Sequence, residues 1–163
     1  MANRNSTGFG LIAQGTLGST PATGGQGKYY IEANYATSLF QGTAVKQAAG
    51  FIVTAQAAIT NTCIGVLNGV FYNAATTQKP TFANFYNQPI TPANSEDVTC
   101  FVIDNPLQLF SAVMDTACAQ AEFGKTFSFA AAVPTGSEIS GQCTNMLDYT
   151  NRDNANNQWR LLR

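Results

Sequence analysis

From Lys28 onward, apolar side chains recur at every second position in short runs. Tyr29, Ile31, Ala33 and Tyr35 alternate with Tyr30, Glu32 and Asn34, and Phe51, Val53 and Ala55 alternate after Gly50. A period of two sends neighbouring side chains to opposite faces of an extended backbone, so these runs specify strands. Each run ends in turn chemistry. Residues 38–45 read as a second strand bent at Gly42, a residue free to leave the strand conformation. Residues 63–72 contain Asn68-Gly69, which either closes a type I′ hairpin or bulges one long strand. Residues 98–103 (VTCFVI) are apolar on both faces, the mark of a strand covered from two sides.

The rest of the chain follows the same grammar. Asp104-Asn105-Pro106 is a turn, because Asx side chains fold back on the backbone and proline presets φ. Residues 107–114 then return as a strand, Phe127 and Phe129 resume the alternation, and Pro134-Thr135-Gly136 turns the chain again. Two last strands are expected at 143–149 and 158–162, with a polar loop from Asn151 to Asn157. Residues 115–123 form the one predicted helix, capped by Asp115, favoured by Ala117, Ala119 and Ala121, and ended by Gly124. Residues 73–97, with Pro80, Pro89 and Pro92 and an apolar cluster at Phe82, Phe85 and Tyr86, read as a loop. One so long either has a function or contains a further strand. The fold class is all-β: a single β-barrel or β-sandwich with at most one short helix.

Residues 1–27 differ from the body at 28–163. They hold seven of the 14 glycines and a single charge, Arg4. Such a segment predicts an extended, adaptable N-terminal arm that either stays disordered or orders on a partner. Phe9, Leu11 and Ile12 are its apolar anchor and the candidate residues for contact with a capsid or a neighbour. Fully extended, the arm would reach on the order of 90 Å.

Charge narrows the possible partners. Charged residues are 10% of the chain while hydrophobic ones are 45%, against about 25% charged in an ordinary soluble protein. Uncharged polar groups must carry solubility, and such a surface sheds water cheaply against another protein. With a net charge of −1 and eight scattered cations, neither nucleic acid nor an anionic membrane finds a matching field. The first fifteen residues contain no apolar run of signal-peptide length, so the expectation is synthesis in a cytoplasm.

The residues of common catalytic sites are missing. Histidine is absent from the sequence, which excludes the ordinary Ser-His and Cys-His arrangements. Cys63, Cys100, Cys118 and Cys143 form no CxxC pair, so no zinc site is expected, and they read as reduced structural thiols. No phosphate-binding loop or calcium loop is present. The acids fall mainly in turns, where carboxylates satisfy backbone donors. The reading is therefore no catalytic residue, no metal and no cofactor. A carboxylate-dependent hydrolase would need paired acids. A carbohydrate-binding sandwich would rest on Trp159 and the tyrosines.

Several segments in order, Tyr29-Tyr30-Ile31, Leu39-Phe40-Gln41-Gly42-Thr43-Ala44-Val45, residues 64–73 (IGVLNGVFYN), Phe101-Val102-Ile103-Asp104-Asn105-Pro106 and Ser140-Gly141-Gln142-Cys143 with Leu147-Asp148, resemble the small head proteins of tailed bacteriophages. These are the decoration, or cement, proteins on the outside of a capsid, and the likeness spans most of residues 29–162. Where related sequences carry an acid, this chain has Thr43, so no role of that acid transfers. The resemblance implies a virion structural protein, commonly a homotrimer seated at local three-fold axes. Its partners would be the major capsid protein and itself. It would be made in the host cytoplasm and stabilise the expanded shell against internal DNA pressure. A tail-tube or head–tail connector subunit is the alternative within the virion.

Overall fold

The computed structural model describes residues 8–18, 25–55, 62–153 and 157–162. The fold is all-β, with no α-helix among the described residues. Its main sheet contains β2 (Gly27–Ile31), β3 (Ala44–Ala48), β4 (Phe51–Thr54), β5 (Gly65–Asn73), β6 (Pro80–Ala83) and β7 (Val98–Ile103). The order is β2-β7-β5-β3-β4, entirely antiparallel. Long β5 pairs with β3 near its start and with β6 at its end. The sheet curls until β2 and β4 approach, but their edges do not pair, so no barrel closes. Thr54 N–H donates to Tyr35 Oη at 3.3 Å.

Alternation divides the apolar residues between two cores. Val45 of β3 and Leu67 of β5 point into the curl with Ile31, Ile52, Val70, Val98 and Val102. Their sequence neighbours, Ala44 and Val66, point the other way, into a second core with Leu11, Phe127, Phe129 and Leu147. Burying each large aliphatic side chain contributes about 1.5–3 kcal/mol. A discontinuous second layer covers this core. It comprises β1 (Ile12–Thr16) paired with β8 (Gln108–Ser111), and β9 (Thr126–Phe127) paired with β10 (Trp159–Arg160). Leu147 bridges to Met114 on one side and Phe129 on the other, joining the two ribbons. The result is sandwich-like.

Several expectations take definite form. The Asn68-Gly69 pair is a bulge inside one nine-residue strand, β5. The strand expected at 38–45 is broken at Gly42, where φ is +92°: Leu39 and Gln41 make isolated bridges, and the regular strand, β3, starts at Ala44. The 73–97 segment contains a strand, β6. The predicted helix at 115–123 is absent: only Gln120–Glu122 make a single 3₁₀ turn. Residues 115–121 are all exposed, so no apolar face holds a helix in place. Asp115 does not cap a helix either, because Oδ1 accepts from Tyr149 N–H at 3.0 Å. Residues 143–149 make isolated bridges instead of a strand, since their backbone donors go to several separate segments, including Gln41, Thr135 and Val113.

The segment expected to be a separate arm belongs, over residues 8–18, to the body. Gly10 N–H donates to Asn145 O at 3.1 Å and Leu11 N–H to Gly42 O at 3.0 Å. Gln142 Nε2 donates to Phe9 O at 2.9 Å. A segment so laced is an element of the sandwich.

Candidate docking groove

The second layer is not continuous, and the gap between its ribbons is a groove of about 1850 Å³. One wall is β1 with β8 and the stretch that follows to Cys118; the other is β10 with Phe123. Phe110, Phe127 and Leu147 lie along it. Trp159 lies there too, its ring edge-on to Phe110 at 5.8 Å and to Phe129 at 6.4 Å. Its indole Nε1–H is buried without an acceptor.

The groove's surroundings are apolar. Leu17, Leu107, Phe123 and Leu162 line it and are all exposed. That is four of the nine large hydrophobic side chains found exposed among the described residues. Gathered at one place, they form an apolar patch; scattered singly, they would need no explanation. Among the described residues only Asp115 and Arg160 bring charge to the lining, so covering it would strip water from few ions.

The three anchor residues separate. Leu11 is 4% exposed and packs in the second core, so it is unavailable to a partner. Phe9 is half-buried, its carbonyl held by Gln142. Ile12 is 39% exposed and is the one of the three at the surface. A strand alternates its faces, so neighbours 11 and 12 could not both point outward. Sequence reasoning missed Leu17, Leu107, Phe123 and Leu162. Leu107 carried a signal, a large apolar residue directly after a turn; Phe123 was absorbed into the predicted helix.

Glu122 is buried, ion-paired to Lys125 Nζ at 3.0 Å and to Arg152 Nε at 3.0 Å, and accepts a hydrogen bond from Tyr149 Oη at 3.3 Å. The Lys125 hydrogen bond above all, with the charges of Lys125 and Arg152 and the Tyr149 hydroxyl, holds this carboxyl below its ordinary pKa. A carboxylate so neutralised is a clamp between two turns, poorly suited as a proton donor. No three His, Cys, Asp or Glu side chains among the described residues come together to hold a metal ion. Trp159, the sugar-stacking candidate, is engaged by two phenylalanine edges. No family model matches the chain, no curated protein is significantly similar to it, and no solved structure matches it.

Proposed function

We propose that this chain is a non-enzymatic structural subunit of a tailed-phage particle. It would bind the outside of the capsid, as a homotrimer at local three-fold axes, with the major capsid protein as its partner. The observation that carries this reading is the concentration of exposed apolar side chains around one nearly uncharged groove, on a chain with few charges anywhere. The resemblance of residues 29–162 to decoration proteins points the same way.

The mechanism is linkage. A subunit that binds the expanded lattice better than the unexpanded one stabilises it by that difference in affinity. A trimer touching several capsid subunits gains a further factor of about 10² to 10⁴ through effective concentration. Packaged DNA pushes outward, and contacts spanning subunits oppose the opening.

The test adds purified protein to expanded, undecorated heads and measures occupancy by sedimentation and mass spectrometry. The expected result is saturable, stoichiometric binding that a Leu107→Ser, Phe123→Ser double variant loses while melting like the parent. No adsorption to the heads would remove the proposal. Unchanged adsorption by the double variant would move the contact to another face.

A further inference from the structure

On the face of the main sheet that carries Val66, but on residues that do not line the groove, three phenylalanines stand together on β6, β5 and β7. Phe82 pairs in register with Phe71, their rings 4.8 Å apart. Phe82 also lies nearly parallel to Phe101, at 10° and 6.1 Å. Phe82 is 74% exposed, a large cost in unburied apolar surface for a residue with no evident packing role. Across from Phe101 in the ladder stands Gly69, which has no side chain to cover the ring. The bulge at Asn68-Gly69 thus leaves a depression of about 330 Å³ bounded by Phe82, Phe101, Asn68, Asn84 and Gln26.

The walls carry amides. Asn68 is oriented by Gln41, whose Nε2 donates to Asn68 Oδ1 at 2.9 Å. Asn84 is fixed by its own Nδ2, which donates to Ser140 O at 2.6 Å. Gln26 is exposed at the rim. Among the described residues no charged side chain lines the depression. Lys28, opposite Phe101 in the ladder, is turned over the Tyr30 ring at 5.4 Å.

We infer that this depression is a binding site for a neutral carbohydrate, one or two pyranose rings of an oligosaccharide. Three features select that class. The volume is that of a small-ligand pocket, typically about 300–1,000 Å³, whereas a protein partner needs about 800 Å² on each side. The aromatic faces carry the negative side of their quadrupole, which attracts the slightly positive C–H face of a sugar ring. The oriented amides offer hydrogen bonds to hydroxyls, and the absence of cations rejects phosphate, sulfate and carboxylate. The activity is independent of the capsid reading, because none of its residues lines the groove.

The test exposes the full-length chain to an array of neutral hexose and N-acetylhexosamine oligosaccharides beside sialylated, uronic and sulfated ones. Binding to neutral members is expected. By calorimetry Phe82→Ala should weaken it about tenfold, with melting unchanged because the ring is mostly exposed. Asn68→Asp keeps the acceptor for Gln41 but replaces the amide donor by a charge, and should also lose affinity. No binding to any neutral glycan, or binding confined to acidic ones, overturns the inference. So does neutral binding that Phe82→Ala leaves unchanged. If instead Phe82→Ala weakens adsorption to heads while the array stays blank, the face belongs to a protein partner.

Discussion

Gly10 and Gly42 meet where the N-terminal segment lies on the main sheet, and both have positive φ, +68° and +92°. A Cβ on Gly10 would sit 2.6 Å from the Gly42 carbonyl oxygen, backbone that cannot swing aside as a side-chain tip can. Gly10→Ala should therefore cost about 1–3 kcal/mol from backbone strain alone and more from the collision, read as a lower urea midpoint. A midpoint equal to the parent's would show that the two segments do not touch in this way. The thiols make a second prediction at this scale. Burial pushes Cys100 up to about 12 and raises Cys63 and Cys143 as well, while Cys118 is exposed. A protonated, shielded thiol is a poor nucleophile. Iodoacetamide at pH 8 should alkylate Cys118 first in the folded protein and reach the other three only after denaturation. Early modification of Cys100, followed by peptide mapping, would contradict its place in the core.

Among the elements, β1 and the Glu122 clamp make the sharpest claims. If β1 is part of the sandwich, Leu11→Ala removes a core residue and should cost about 2–5 kcal/mol. Ile12→Ser on the outward side should stay within about 0.5 kcal/mol of the parent. Equal effects in a urea titration would mean that the segment does not alternate between core and solvent. The clamp predicts a pH dependence. The folded Glu122 carboxyl lies below its ordinary value of 4.5, so its charged form is favoured by folding. That contribution is present above pH 4.5 and is lost as pH falls through the lower folded value. Melting temperatures of the parent and Glu122→Gln should differ at pH 6 and converge toward pH 3. A constant gap would place the effect in packing. Much of the sheet was legible beforehand because the apolar runs at 29–31, 51–54 and 98–103 state strand. The covered face was not: Ile52 is buried where Phe51 and Val53 were the alternating set, and 98–103, expected to be covered from two sides, fully buries only Val98, Cys100 and Val102. The β3–β4 turn was harder to read: Ala49 and Gly50 both take positive φ, yet alanine carries no such signal. The helix was misread because propensity at Ala117, Ala119 and Ala121 is a weak prior without an apolar face to bury. Of the groove's lining, Leu11 and Trp159 were singled out by the sequence, one as an anchor and the other for stacking on a sugar. The exposed Leu17, Leu107, Phe123 and Leu162 were not, since a groove depends on how distant ribbons stand apart, and local pattern does not encode that.

At the scale of the whole molecule, the small number of charges sets how any contact behaves. With eight basic and nine acidic residues the net charge is −1, and the groove contributes one acid and one base to its lining. Long-range steering requires summed charge, and salt suppresses it with a Debye length of about 10 Å at 0.1 M. Apolar burial is not screened by salt, and it leaves a negative heat-capacity change on binding. Among the described residues the aromatic depression has no cation in its lining either, so both proposed contacts would recognise shape and desolvation in place of charge. Adsorption to expanded heads should then change less than about threefold between about 0.05 and 0.5 M NaCl. Calorimetry at several temperatures should give a negative heat-capacity change, reduced in the Leu107→Ser, Phe123→Ser double variant. A steep loss of affinity with salt would mean that a charged contact elsewhere on the surface does the binding, and the groove would lose its claim.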